Sequence, residues 1–477
     1  MRVYNSLTFQ KEEFETINPN EVLMYVCGPT VYDSPHLGHA KSAVNFDVIR
    51  RYLEFKGFDV KVVKNYTDID DKILNRAEEL DMDWKKLGDK YTEEYEEVMD
   101  SLNIKRDFKN PQATDIIDFM IEFIQGLVEK GYAYESNGSV YFHVKSFKGY
   151  NTIFQNVSED EEEETEIEDI PEDQEPLFGD KYDTKDFVLW KKRKKGEPYW
   201  ESPWGPGRPG WHIECSAMAI KFLGETIDVH GGGLDLRQPH HQNEIAQAEA
   251  YTGQRFANYF LHNGFVNVEG EKMSKSLGNF TVVSEVLKKY KNMVVRLFLL
   301  SAHYRKSLNY TDNGIEQAKK NYERLMKSIH LINEKKVTYE GNKKTKELIK
   351  RLGKARENIM ERMDDDFDSP GTLAEIYTLF RDINRMVFEE NSPITEEFKE
   401  RFFSLMKEID KILGIFPNLD EIKQGIKGTV DQKDRLIKDL IDIIQETRST
   451  LRKKKMYELS DKIREELKTL GIIVEDS

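Results

Sequence analysis

Residues 21–67, EVLMYVCGPTVYDSPHLGHAKSAVNFDVIRRYLEFKGFDVKVVKNYT, decide the fold. Residues 21–28 are a short apolar run followed by proline, which predicts a strand. Residues 36–57 carry apolar side chains near helical spacing and close on Gly57, which predicts a helix, and residues 59–67 predict the next strand. Strand, helix and strand in succession form a βαβ unit, so we expect a parallel, nucleotide-binding sheet.

The chain has 477 residues and a formal net charge of −16, and the charge is unevenly distributed. Residues 159–175, EDEEEETEIEDIPEDQE, hold twelve acidic residues and no Lys or Arg, so the rest of the chain accounts for only four of the net negative charges. We interpret this block as a solvated loop. The overall acidity therefore does not exclude a nucleic-acid partner.

The sequence contains no membrane or export signal that we can identify. No apolar run approaches the ~20 residues of a membrane helix, and the N-terminus resembles neither a signal peptide nor a transit peptide. We expect a cytoplasmic protein that does not contact the membrane. The two cysteines, Cys27 and Cys215, are not expected to form a disulfide in that compartment. They are either buried small hydrophobic residues or metal ligands.

The remaining pattern predicts several parts. Short strands and the acidic block suggest an insertion into the sheet domain, and residues 226–236 suggest a strand that ends in a glycine-rich loop. Nearly everything from 280 to 420 suits helices. The predicted parts are the first half of a sheet domain (1–110), an inserted subdomain (111–200), the second half of the sheet domain (201–264), a loop region (265–315), a helical bundle (316–422) and a small C-terminal domain (423–477).

The stretch DLRQPHHQNEIAQ, residues 235–247, places a histidine and a carboxylate together. His240 and Glu244 are i and i+4, so on a helix they share one face. This face is either a solvated polar surface or part of a metal site with ligands from elsewhere.

Two further motifs suit phosphate. In PTVYDSPHLGHAK, His36 and His39 lie where the first strand meets its helix, where backbone N–H groups and the helix dipole favour anions, and Gly38 permits close approach. In KMSKS, residues 272–276, Lys272 and Lys275 are separated by a methionine and a serine. Such a loop either clamps a polyphosphate or is an ordinary basic surface loop.

The order HLGH and then KMSKS resembles the paired signatures of class I aminoacyl-tRNA synthetases, and within that class the chain resembles the cysteinyl-tRNA synthetase family. The matching stretches are YVCGPTVYDSPHLGHA, NYTDIDDKI, DFVLWK, GWHIECSAMA, HGGGLDL, PHHQNEIAQ and KMSKSLGN. The resemblance implies an α/β fold with a Rossmann-like parallel-sheet catalytic domain, an inserted subdomain, a helical bundle and a small C-terminal domain.

The resemblance also implies a metal site. It makes Cys27, Cys215, His240 and Glu244 the ligands of one zinc ion per chain, and it gives His241 an orienting role. The zinc would distinguish the thiol of cysteine from the hydroxyl of serine. An insertion of this length is too short for a large editing domain, which fits selection by the metal.

The implied reaction joins L-cysteine to tRNA(Cys) through a cysteinyl-adenylate made from ATP. His36, His39, Lys272 and Lys275 would stabilise charge on the phosphates, with Lys275 as the main cation and Mg²⁺ arriving with ATP. Three groups of residues would bind the substrates: Gly38, Asp235 and Lys275 for ATP, Thr67 and Trp211 for the amino acid, and Arg452, Asp461 and Asp476 for tRNA. The family expectation for the assembly is a monomer.

Several departures and alternatives remain. HLGH has leucine where the family motif has isoleucine, and the chain stops at VEDS without a basic and aromatic tail. A ligase that joins cysteine to an amino sugar would share the zinc and the adenylate, but the roughly 180 residues after 300 argue against it. A zinc-stabilised RNA-binding module would not require both signature loops, and a plain nucleotidyltransferase would not require four zinc ligands.

Overall fold

The computed structural model describes most of the chain, in segments separated by gaps. The described residues are 1–154, 180–273 (without the side chain of Lys272), 280–423, 444, 447, 451, 456, 457 and 459–463. Internal contacts divide the chain into one unit of residues 1–329 and 336–417 and a second unit of residues 330–335 and 418–477. In the part of the chain that is described, no helix combines the length and the apolar character needed to cross a membrane.

The secondary structure is mixed α/β. The strands are β1 (Arg2–Asn5), β2 (Gln10–Glu13), β3 (Glu21–Val26), β4 (Asp59–Lys64), β5 (Ala133–Ser136), β6 (Ser139–Phe142), β7 (Phe187–Lys192), β8 (Gly207–Pro209), β9 (Ile227–Gly233), β10 (Ala257–Asn263), β11 (Val266–Val268), β12 (Glu271–Lys272) and β13 (Leu308–Tyr310). The helices are α1 (Leu37–Phe55), α2 (Asp71–Glu79), α3 (Trp84–Ser101), α4 (Ile117–Glu129), α5 (Trp211–Leu223), α6 (Gln242–Thr252), α7 (Val283–Lys289), α8 (Asn292–Leu299), α9 (Asp312–Glu334), α10 (Lys343–Asp364), α11 (Ser369–Ile383), α12 (Glu396–Leu413) and α13 (Leu419–Lys423).

The central sheet has the order β10-β9-β3-β4, and all its strands are parallel. Helix α1 connects β3 to β4, so the predicted βαβ unit is confirmed. Helix α6 connects β9 to β10 in the same way. Parallel strands are covered on both faces, which is why β3 is apolar along nearly its whole length. The carboxyl ends of the four strands meet at one edge, where such sheets bind their ligands.

The glycines at 231–233 lie differently from the prediction. They are the last residues of β9 and pair with Leu261–Asn263 of β10, so the loop begins only at Leu234. A Cβ on Gly231 would lie 2.3 Å from Cε1 of Phe46 on α1. Glycine is therefore needed for close packing of this strand against the helix.

The inserted subdomain contains helix α4 and an antiparallel sheet of order β5-β6-β7-β8. Strand β8 extends this sheet beyond the predicted boundary at residue 200. Asp71, at the start of α2, accepts hydrogen bonds from Lys191 and from the buried Arg208, and these ion pairs hold the subdomain to the sheet domain.

The bundle helices pack beside α1, and a buried charge cluster joins them. Asp47 of α1 accepts from Arg51 (Nε to Oδ2, 2.7 Å) and from Nη2 of Arg296 on α8. Nε of Arg296 also donates to the carbonyl of Leu413, at the end of α12, over 2.7 Å. Two small elements complete this unit, the β1–β2 hairpin and the sheet of order β12-β11-β13.

Candidate metal centre and active site

Four buried or half-buried ligand atoms converge at the carboxyl edge of the sheet. Cys27 follows β3, Cys215 lies on α5, and Glu244 lies on α6, one turn after His240. One ligand atom from each of these four residues lies within 4.8 Å of the others. Nε2 of His240 is 3.0 Å from Oε1 of Glu244, which in turn is 3.5 Å from Sγ of Cys27. Ligands of a tetrahedral ion stand about 3 to 4 Å apart, so this set fits zinc.

A second set of four shares two of these residues. Cys27 and Glu244 also lie within 4.8 Å of His230 and His241. Nε2 of His230 is 3.0 Å from Oε2 of Glu244, and Nε2 of His241 is 3.3 Å from Sγ of Cys27. Nδ1 of His241 faces Nε2 of His262 over 2.9 Å, which fixes the orientation of the ring. Sequence reasoning did not single out His230 or His262.

The electrostatics of the centre favour a cation. Burial raises the pKa of the Cys27 thiol well above its usual range, whereas a hydrogen bond with Cys27 lowers the pKa of Cys215 to about 6. Burial opposes protonation of His240, but the Glu244 carboxylate and Cys215 together outweigh it and raise the pKa of His240 to about 10. Surroundings that favour a proton on a buried imidazole also favour a bound metal cation.

His36 and His39 lie at the first turn of α1. His36 is the N-cap, and its Nδ1 accepts from the backbone N–H of Gly38 (3.0 Å) and of His39 (3.4 Å). Nδ1 of His39 accepts from the N–H of His36 over 3.3 Å, and the two rings stack with centroids 3.7 Å apart. Because Nδ1 is the acceptor in both rings, each neutral imidazole carries its proton on Nε2.

We call residues 272–281 the KMSKS segment, and residues at both of its ends lie beside this turn. A Cβ on Gly38 would be 3.7 Å from Cε of Met273. The ring of Phe280 stands edge-on to His36 at 4.9 Å, and the N–H of Leu37 donates to the carbonyl of Thr281 over 3.1 Å. The residues on both sides of 274–279 therefore contact the histidine motif.

Comparisons with known proteins identify the family of the chain. The model for tRNA synthetases class I (C) catalytic domains matches residues 13–320, and the DALR domain model matches residues 358–417. The cysteine–tRNA ligases of Thermococcus gammatolerans and Thermococcus onnurineus are 46% and 45% identical to the chain, over all of it and 97% of each relative.

The chain belongs to the cysteine–tRNA ligase family of aminoacyl-tRNA synthetases.

Solved structures show the same fold at lower identity. Methionyl-tRNA synthetase from Mycobacterium tuberculosis, in complex with methionyl-adenylate, superposes with a TM-score of 0.62 at 15% identity, covering 84% of this chain and 91% of that chain. A leucyl-tRNA synthetase of Agrobacterium radiobacter, in a ternary complex, gives 0.61 at 11% identity over 87% and 86% of the two chains. These likenesses concern the fold alone.

The predicted amino-acid pocket lies next to the metal centre. The ring of Trp211, the first residue of α5, is 4.3 Å from that of His240. Oγ1 of Thr67 donates to Oε2 of the buried Glu214 over 2.7 Å and accepts from Nδ2 of Asn65 over 3.2 Å. Burial raises the pKa of Glu214 well above its usual range. Glu214 stands directly before Cys215 in the sequence, and this position was the one available signal for it.

The structure describes the surroundings of the other predicted site residues only in part. Asp235 is exposed just after β9, and a Cβ on Gly233 would lie 2.2 Å from its Oδ1, so the glycine makes room for this carboxylate. Asp461 is half-buried in a short helical segment of the second unit. The following lie outside the described residues: the side chain of Lys272, Lys275, Arg452, Asp476 and the acidic stretch 159–175.

Proposed function

We propose that the chain attaches L-cysteine to tRNA(Cys) through a cysteinyl-adenylate, with one zinc ion selecting the substrate thiol. The observation that carries the proposal is the convergence of Cys27, Cys215, His240 and Glu244 at the carboxyl edge of a class I synthetase sheet. Family membership supports the charging of tRNA with cysteine. The adenylate and the zinc are the parts that the experiment below tests.

The four residues would hold the zinc through two thiolates, one imidazole and one carboxylate. When bound, the ion would offer a soft site to the sulfur of the substrate, which serine cannot match with its hydroxyl oxygen. Trp211 would form one wall of this pocket because its ring already packs on His240. Thr67 is held by its hydrogen bond to Glu214 and would line the opposite side.

In the first step, a carboxylate oxygen of cysteine attacks the α-phosphorus of ATP, and the bond to the bridging oxygen of pyrophosphate breaks. The chain must then stabilise charge on the phosphate oxygens and on the leaving pyrophosphate. His36 and His39 are suited to this because their Nδ1 atoms are occupied by backbone N–H groups, which leaves Nε2–H as the donor. The dipole of α1 adds to this effect.

Lys272 and Lys275 would supply the remaining positive charge. Met273 and Phe280 lie beside Gly38 and His36, so the segment between them begins and ends at the phosphate site. Gly38 would let the nucleotide approach the backbone, and Asp235 would accept hydrogen bonds from the ribose. Mg²⁺ would arrive with ATP.

In the second step, a ribose hydroxyl at the 3′ end of tRNA attacks the carbonyl carbon of the adenylate, and AMP leaves. The DALR match in the bundle supports a tRNA partner. Arg452, Asp461 and Asp476 are our candidates for contacts to phosphate and base edges. A cytoplasmic monomer is the form we propose.

Cysteine-dependent exchange between ATP and labelled pyrophosphate tests the adenylation step. We expect exchange with cysteine, none with serine, and loss of exchange in Cys215→Ser. Zinc content is measured on the same samples, and His143→Ala, which changes a histidine of the inserted subdomain, is the matched control. Absence of exchange by a fully zinc-loaded protein would overturn the proposed function.

A further inference from the structure

Lys41 is a fully buried cation in the second turn of α1, two residues after His39. Its Nζ donates to three backbone carbonyls, those of Gly264 (2.7 Å), Lys306 (2.9 Å) and Tyr304 (3.1 Å). An ammonium group has three N–H donors, so these carbonyls match its full donor capacity. Burial of a charge is costly without such partners, so the buried ammonium group depends on these three carbonyls.

The three carbonyls lie in the connections that lead into β11 and β13, two strands of the small sheet in which the KMSKS segment begins. Gly264 joins β10 to β11, and Lys306 precedes β13, which pairs in parallel with β11. Strand β12, where the KMSKS segment begins, pairs with β11 on its other side. Lys41 therefore connects the end of α1 that carries His36 and His39 to the small sheet in which the KMSKS segment begins.

The close approach of the two connections requires a glycine at position 264. Its N–H donates to the carbonyl of Tyr304 over 2.9 Å, and a Cβ at this position would lie 2.6 Å from the carbonyl carbon of Lys306. The two backbones can approach this closely only because residue 264 is glycine. The same approach gathers the three carbonyls around one point.

The bundle holds the segment 303–306 from the other side. Asp366, in the turn between α10 and α11, accepts from Oη of Tyr304 and from Nε of Arg305, both over 2.8 Å. Asp366 is buried and has a left-handed backbone, with φ of 65°. The left-handed region is uncommon for residues other than glycine, and here the two side-chain hydrogen bonds accompany it. The segment is therefore fixed between the bundle and Lys41.

We propose that Lys41 is a positioning residue for adenylate formation. It fixes the distance between the His36–His39 turn and β12, where the KMSKS segment begins, so that the histidine N–H donors and the lysine cations meet the same triphosphate. Lys41 itself touches no substrate. The inference rests on the proposed function, because it presumes that the two motifs act together on ATP.

The test compares Lys41→Met, which keeps the length but removes the charge, with Lys41→Arg, which restores a cation. In pyrophosphate exchange, Lys41→Met should lower kcat or raise the KM for ATP by about tenfold to a hundredfold, the usual effect of misplacing reacting groups by about 1 Å. The KM for cysteine and the zinc content should stay at wild-type values, and Lys41→Arg should recover part of the loss. If Lys41 only stabilised the fold, its loss would not change kcat or the KM for ATP selectively while the KM for cysteine stayed the same.

Arg296→Met is the matched control, since it removes another fully buried cation that ties α1 to its surroundings through Asp47. It should lower the melting temperature without changing the KM for ATP. If Lys41→Met does not fold, Gly264→Ala displaces the same carbonyls and should give the same split. Wild-type kinetics in a folded Lys41→Met or Gly264→Ala variant would overturn the inference. Absence of exchange in the wild type would instead overturn the proposed function.

Discussion

The carboxylate of Glu244 lies 3.0 Å from the imidazole of His240, one helical turn before it in the chain. Its other oxygen lies 3.0 Å from Nε2 of His230, a residue of the central strand β9. Glu244 is thus common to both groups of ligands that we describe. Because the groups share Glu244 and Cys27, we expect the chain to hold one zinc ion rather than two.

Removal of His240 should therefore cost most of the bound zinc. We expect His240→Ala to weaken zinc binding more than roughly a hundredfold, and His230→Ala to weaken it by about tenfold to a hundredfold, as an outer partner does. Elemental analysis and competition with a chelator measure both, with His143→Ala as the control. The reverse order of the two variants would place the ion in the His230–His241 group.

Asp71 should make the stability depend on pH. Although burial opposes ionisation, Lys191 and Arg208 lower the pKa of Asp71 to about 2, from 3.8. A lowered folded-state pKa gives stability that is complete above about pH 4 and is lost as the pH falls towards 2. Its size is roughly 2 kcal/mol.

Urea unfolding between pH 6 and pH 3 checks this expectation. The difference in unfolding free energy between wild type and Asp71→Asn should be largest near pH 6 and should shrink as the pH is lowered. Asp89→Asn, which changes an exposed carboxylate on α3, should show no such trend. A difference that is constant with pH would contradict the assignment.

Loss of the buried carboxylate of Asp47 should destabilise the protein more than loss of a carboxylate from an exposed ion pair. Asp47→Asn leaves the fully buried Arg296 without its carboxylate, and we expect a loss of about 3 to 5 kcal/mol of unfolding free energy. Glu397→Gln removes the exposed partner of Arg401, 2.9 Å away on α12, and should cost less than about 1 kcal/mol. Chemical denaturation of both variants measures the two losses of unfolding free energy. Equal losses would contradict the prediction.

Two glycine-to-alanine changes should have opposite effects on the stability of the protein. A Cβ on Gly28, next to Cys27, would lie 1.7 Å from the backbone oxygen of Asn65, so Gly28→Ala must displace a strand end and should destabilise the protein. A Cβ on Gly353, within α10, meets nothing within 4 Å, so Gly353→Ala should stabilise it by about 0.5 to 1 kcal/mol. Melting temperatures decide the matter, and a stabilised Gly28→Ala would show that this strand end yields easily.

The sequence predicts the fold well where local periodicity is strong. The strand–helix–strand unit around α1 is confirmed because a period change and a closing glycine are local signals. The β1–β2 hairpin was not predicted, since its four-residue strands carry charged and polar side chains without clear alternation. The position of Gly231 was misjudged because its partner, Phe46, is remote in sequence.

The candidate site was predictable only in part, because some of its residues come together through contacts between remote parts of the sequence. The resemblance supplied four ligands that the structure brings together, but His230 enters the cluster through the register of β9 against β3, where it pairs with Tyr25. Register depends on the whole sheet and cannot be read from a single strand. Lys41 escaped notice because its partners are carbonyl groups, which every residue possesses.

Both cysteines of the chain lie in the proposed metal centre, and this concentrates all the thiol chemistry of the protein at one place. An alkylating reagent has no other sulfhydryl to modify, so its uptake would count vacant active sites directly. Of the two, Cys27 is partly accessible and Cys215 is buried. A fluorescent label would react only with an introduced cysteine as long as a bound metal protects Cys27 and Cys215.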